Sequence, residues 1–159
     1  MISLSKRVQV ILTTLALSLS ACGGSPPKPT ISKATLTAGS DTNPDSEGRA
    51  SPVVVRLYQL KEEGAFASAD FFALYDNEQE ALGASVVARE EYELKPGETR
   101  ELEVKIAPET RFVGAIAAFR DIRNAKWKVL SPVPTEGLTD ESKVTLSVAR
   151  SDLQLSIAK

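Results

Sequence analysis

The sequence predicts an all-β protein in which two sheets pack face to face and one short helical insertion interrupts them. Three observations lead there. The first is strict alternation: Leu102, Val104 and Ile106 interleave with Glu101, Glu103 and Lys105, the pattern of a half-buried antiparallel strand. The same period of two returns in Val144, Leu146 and Val148, and again in Leu153, Leu155 and Ile157. The second is punctuation, with turn formers such as Lys95-Pro96-Gly97-Glu98 and Ala107-Pro108-Glu109 separating these runs. The third is a single change of period, over residues 65–82, where Phe71, Leu74, Tyr75 and Leu82 fall on one helical side. A sheet with one apolar face must bury it, so two such sheets are expected to cover each other.

The chain opens with Lys6 and Arg7, then an apolar stretch over residues 8–19, then Ser20, Ala21 and Cys22. A basic tip, an apolar segment and small residues at a cut site make an export signal. The apolar stretch is interrupted by Thr13, Thr14 and Ser18, and it is shorter than the roughly 20 residues a spanning helix needs. Cys22 is the only cysteine, so an exported chain has no internal disulfide to spend it on. Residues 1–21 are therefore expected to be removed as a lipoprotein signal, with the Cys22 thiol acylated. By resemblance to bacterial lipoproteins, Gly23 and Gly24 after the cysteine, where aspartate would retain the protein at the inner membrane, imply the outer membrane. Residues 22–30 form the lipidated cysteine and a Pro- and Gly-rich tether. Residues 31–159 form the domain.

Within the domain, residues 31–38 read as a weak strand at a sheet edge. Residues 39–52 carry no apolar side chain larger than alanine or proline and form the longest polar turn-former segment. Residues 53–60, VVVRLYQL, are the strongest strand signal. A short helix is expected over residues 68–76, with Ser68 as its cap, another turn to residue 81 and Gly83 as its stop. Residues 84–94 resume the strands, and Pro96-Gly97 suits a type II turn before residues 100–106. Residues 112–119, FVGAIAAF, are apolar on both sides and read as a central strand whose small residues admit another layer. Residues 127–130 form a short strand broken by Pro132 and Pro134. Arg150 and Ser151 link the last two apolar runs as a hairpin or a bulged strand.

Composition excludes much chemistry. There is no histidine, so neither a Ser/His/Asp nor a Cys/His nucleophile arrangement is available. With histidine absent and the cysteine acylated, no cofactor is expected and zinc, haem and copper sites of the usual kinds are not. Asp41, Asp45 and Glu47 lack the spacing of a helix–loop–helix calcium loop. No glycine-rich phosphate loop appears. Removing residues 1–21 leaves 17 basic and 21 acidic groups, a balance that does not suit nucleic acid. Arg120 and Arg123 read as a polar, solvated ridge. Trp127, the only tryptophan, is left between a core and a contact role.

The run SPVVVRLYQLKEEGAFASADFFALYDNEQEALG over residues 51–83, with LKPGETREL over residues 94–102 and KWKVL around Trp127, resembles the outer-membrane lipoprotein of type VI secretion, the TssJ family. The resemblance implies a transthyretin-like β-sandwich with a short helical insertion and no catalysis. It implies an outer-membrane protein that faces the periplasm. There it holds the C-terminal periplasmic region of the large inner-membrane subunit, a TssM-like partner. In the family the loop between the first and second strands carries the contact. By position that loop is residues 39–52, which makes Asp41, Asn43, Asp45, Glu47 and Arg49 the partner-binding residues. A lipid-anchored module for carbohydrate or another small ligand is the alternative, and composition alone leaves a paired-carboxylate hydrolase open.

Overall fold

Every run read as a strand contains one, and the described residues, 28–158 of a computed structural model, contain eight strands. Residues 1–27, with the signal segment, Cys22 and most of the tether, lie outside them, as does residue 159. The strands are β1 (Thr30–Ala38), β2 (Val53–Leu60), β3 (Val86–Leu94), β4 (Thr99–Ile106), β5 (Phe112–Ala117), β6 (Lys128–Pro132), β7 (Lys143–Val148) and β8 (Leu153–Ala158). Between β2 and β3 the chain forms three short helices, α1 (Gly64–Ser68), α2 (Phe71–Asp76) and α3 (Glu78–Leu82), then a single 3₁₀ turn.

The strands make two four-stranded sheets, in the orders β4-β1-β7-β8 and β3-β2-β5-β6. All pairings between neighbouring strands are antiparallel except β1 with β7, which run parallel with Leu36 opposite Leu146. The period of two decides what each sheet buries. Val53, Val55 and Leu57 of β2 face Leu36, Val104, Leu146 and Leu153 across the sandwich. Tyr58 and Leu60 point the other way and, with Ile116, support the helices through Phe66, Leu74 and Leu82. β2 and β5 are therefore apolar on both faces, and the second sheet lies between two apolar layers. Burial of each large apolar side chain is worth roughly 1.5–3 kcal/mol.

Several expectations are corrected. β1 is not an edge strand; it sits between β4 and β7. Its inward face, Ala34, Leu36 and Ala38, is fully buried although two of the three are small, and that smallness hid its central place. The helical segment is three helices rather than one. Asn77 leaves helical geometry between α2 and α3, with φ −126° and ψ 38°. Ser68 is not the cap: it ends α1 and its hydroxyl donates back to the Gly64 carbonyl at 2.9 Å. Asp70 caps α2 instead, accepting from the Ala73 N–H at 2.8 Å. The third strand starts at Val86, after the 3₁₀ turn; Trp127 precedes β6 rather than opening it, and Pro132 ends β6 inside the ladder, opposite Phe112, rather than breaking it.

Connectivity gives the sandwich two unlike ends. Thr30 pairs with Ile106, so the chain enters where β4 finishes and β5 begins. Gln59 pins this end: its amide donates to the Lys105 carbonyl, and its oxygen accepts from the Ala107 N–H and the Thr110 hydroxyl. The β1–β2 loop, the β3–β4 turn, the β5–β6 connection and the β7–β8 turn all gather at the other end. The nine residues of β1 separate the two by about 30 Å.

Candidate functional site

The β1–β2 loop, residues 39–52, is a built object. It leaves the sheet with the Gly39 N–H donating to the Val148 carbonyl at 2.8 Å, and the Thr42 hydroxyl donates to the same carbonyl at 3.0 Å. Asn43 then acts as a peg. It is only 4% exposed and has a φ of 50°, a left-handed conformation that asparagine tolerates better than most residues. Its side-chain amide donates to the Pro52 carbonyl at 2.7 Å, and its oxygen accepts the Arg120 N–H at 2.8 Å. Its own N–H donates to the Arg150 carbonyl at 2.9 Å. One side chain and its backbone thus tie the loop to itself, to the β5–β6 connection and to the β7–β8 turn.

The loop tip is closed by Asp45. Its Oδ1 accepts the N–H groups of Glu47 and Arg49, both at 2.9 Å, and its Oδ2 accepts Arg49 Nε at 2.8 Å. Gly48 reverses the chain at φ 80°, where a Cβ would be strained. Arg49 also meets Glu47 at 3.0 Å. The Arg49 guanidinium, helped by the two backbone N–H groups, holds the Asp45 carboxyl below the usual carboxylate range. Arg49 and Glu47 are exposed, so their ion pairs shape the tip more than they stabilise the fold.

The structure thus sorts the residues expected to bind a partner. Glu47 and Arg49 are exposed at the tip, Asp41 is exposed in the turn where the loop leaves β1, Asp45 is half-buried, and Asn43 is buried. Sequence reading missed the anchoring role of Asn43, although an asparagine placed before Pro44 in a polar turn segment is a signal for local backbone bonding. It also missed Gln59 and Arg56. Arg56 Nη1 donates to the Tyr75 carbonyl at 2.7 Å at the end of α2, and its guanidinium lies 4.1 Å from the Tyr75 ring centre. Trp127 is half-buried against both apolar layers and meets the edge of Phe71, with ring centres 5.4 Å apart, a packing role.

Reactive groups do not converge here. Among the described residues no group of three or more His, Cys, Asp or Glu side chains could hold a metal ion. Burial, then the nearby Glu78, pushes the Tyr58 phenol up to about 12, so it is a protonated core side chain at neutral pH. What the distal end offers is shape, charge and pre-ordered hydrogen bonds.

The architecture is that of a transthyretin-like β-sandwich. A family model described as type VI secretion lipoprotein, VasD, EvfM, TssJ, matches residues 30–151, and the chain belongs to that family. It is similar to the T6SS lipoprotein TssJ1 from Pseudomonas aeruginosa, with 36% identity and a TM-score of 0.75, over 82% of this chain and 98% of that one. A chain of a structure described as the type VI membrane complex matches at 27% identity and a TM-score of 0.70, over 80% and 98% of the two chains. Another, in a structure described as the T6SS protein TssM C-terminal domain (869–1107) from EAEC, matches at 25% identity and a TM-score of 0.66, over 79% and 97%. No curated protein matches. The protein is an outer-membrane lipoprotein of the type VI secretion membrane complex, facing the periplasm.

Proposed function

We propose that this chain is a non-catalytic adaptor. It fixes the periplasmic C-terminal region of the large inner-membrane subunit, a TssM-like protein, to the outer membrane. Residues 1–21 are the cleaved signal, Cys22 carries the lipid, residues 22–30 are the tether and residues 31–159 are the working domain. Asp41, Asp45, Glu47 and Arg49 present the contact face, and Asn43 holds it in place.

One observation carries this reading: a rigid, charged loop is built at the end of the sandwich opposite the one the chain enters. A loop ordered before binding loses little conformational freedom on contact, which favours recognition. The similar chain found in a structure described by the TssM C-terminal domain supports the partner class.

The test uses residues 22–159 carrying Cys22→Ser, exported behind a cleavable signal that needs no cysteine in place of residues 1–21, so that an uncleaved apolar segment cannot hold the chain in the membrane. The variant should remain folded and bind the partner's periplasmic domain in calorimetry, yet leave the membrane fraction of cells. Failure to bind that domain overturns the adaptor role. Retention in the membrane fraction overturns the anchor.

A further inference from the structure

The β1–β2 loop forms one wall of a cleft of about 590 Å³, and the opposite walls are rich in arginine. Arg120 and Arg123 come from the β5–β6 connection and Arg150 from the β7–β8 turn. Two carboxylates line the same cleft, and both are engaged. Asp45 is held by Arg49 and two backbone N–H groups, and Asp121 Oδ2 accepts from Asn124 Nδ2 at 2.8 Å. None of the three arginine guanidinium groups has a hydrogen bond or ion pair among the described residues. Arg120 acts on Asp45 only through space.

The roots of these arginines are nevertheless fixed. The buried Asn43 accepts the Arg120 N–H and donates its own N–H to the Arg150 carbonyl. Two of the three guanidinium groups therefore spring from backbone held by one peg. The chain as a whole is acidic, with a formal net charge of −2, so unpaired arginines gathered at one cleft are a local reversal of sign.

We infer that this cleft receives a carboxylate-rich segment of the periplasmic partner, with Arg120, Arg123 and Arg150 donating to its side chains. The inference rests on the adaptor role and reverses the expected polarity of the contact. The loop's own acids are largely spent on Arg49 and on backbone, while the arginines opposite are free. The guanidinium is the cation best matched to carboxylates, because its planar fork makes paired hydrogen bonds. An anionic lipid surface suits the cleft poorly, since the tether joins the sandwich at the far end, about 30 Å away along β1.

The experiment titrates the cognate subunit's periplasmic domain into the full chain carrying Cys22→Ser, with and without Arg120→Gln, Arg123→Gln and Arg150→Gln together. The triple variant should bind about 100-fold more weakly, each single variant about fivefold. Raising sodium chloride from about 50 to 500 mM should weaken the parent about tenfold and the triple variant little. Circular dichroism and thermal unfolding should be unchanged, because all three side chains are exposed. Tight binding by the triple variant overturns the inference and leaves the adaptor role standing. If the parent itself fails to bind, the adaptor role falls, and a deca-glutamate peptide decides the cleft. Shifts in the Nε–H resonances of these three arginines sustain an acidic ligand, and their absence overturns it. Arginine-dependent binding to phosphatidylglycerol vesicles would assign the cleft to lipid and also overturn the inference.

Discussion

The helical insertion and the β1–β2 loop both interrupt the sandwich, yet opposite forces hold them. The insertion is held by apolar burial. Phe66, Leu74 and Leu82 are buried on Tyr58, Leu60 and Ile116. Gly114 leaves the room for this, since a Cβ there would lie 2.8 Å from the Phe66 ring. Polar groups only finish the helix ends: Lys128 Nζ donates to the Phe66, Ala67 and Ala69 carbonyls at 3.0, 2.7 and 2.7 Å. The loop has no buried apolar side chain; its buried residues are Thr42, Asn43 and Ser51, and hydrogen bonds do the holding. Apolar burial tolerates wide changes in sequence and contributes stability. Directional hydrogen bonds contribute less stability but fix which groups are displayed. The insertion is thus held as part of the core, while the loop holds charged groups in fixed places.

That division is open to breakage at named positions. Phe66→Ala should have the largest effect, about 3–5 kcal/mol of stability lost in urea unfolding, because an aromatic ring leaves a cavity under three helices. Partner affinity measured on the folded fraction should not change; a loss would place recognition on the insertion. Asn43→Ala should come next, at about 1–3 kcal/mol, since it strands the Arg120 N–H and the Pro52 carbonyl. Hydrogen exchange should rise across residues 40–52 and stay flat in the helices. Asp70→Ala removes the α2 cap and should cost about 1 kcal/mol, leaving the loop untouched.

The smallest effect is one of pH. The Asp45 carboxyl is held low by the Arg49 guanidinium and the backbone N–H groups, so its contribution to loop order is complete above the usual carboxylate range. It is lost as pH falls through the lowered value. Amide exchange at residues 46–49, corrected for its intrinsic pH dependence, should therefore rise only below about pH 4. A rise near neutrality would contradict the Asp45 arrangement.

Much of the sandwich was legible because alternation marks faces directly. β4, β7 and β8 announced themselves through charged or polar residues between large apolar ones. β1 was harder: its inward face is Ala34, Leu36 and Ala38, and small residues give a weak pattern even at full burial. Its parallel pairing with β7 is a long-range choice that no local signal encodes. Phe66, fully buried beneath the insertion, sits between alanines and gave no helical periodicity. The loop's position and its charges were readable, but not that Asn43 is buried and ties the loop to Pro52 and Arg120. The arginine cleft assembles from residues about 30 positions apart, Arg120 and Arg150, so only the fold could bring them together.

The most direct test of the division reverses charge at Asp41 and Glu47, exposed acids whose only ion pair among the described residues is that of Glu47 with the exposed Arg49. Full chain carrying Cys22→Ser with Asp41→Lys and Glu47→Lys is titrated by calorimetry with the partner's periplasmic domain, and its thermal unfolding is recorded beside it. The account predicts an unchanged unfolding midpoint and a dissociation constant lowered by about tenfold, because the added lysines face a carboxylate-rich segment. An unchanged dissociation constant would show that the loop displays nothing the partner reads.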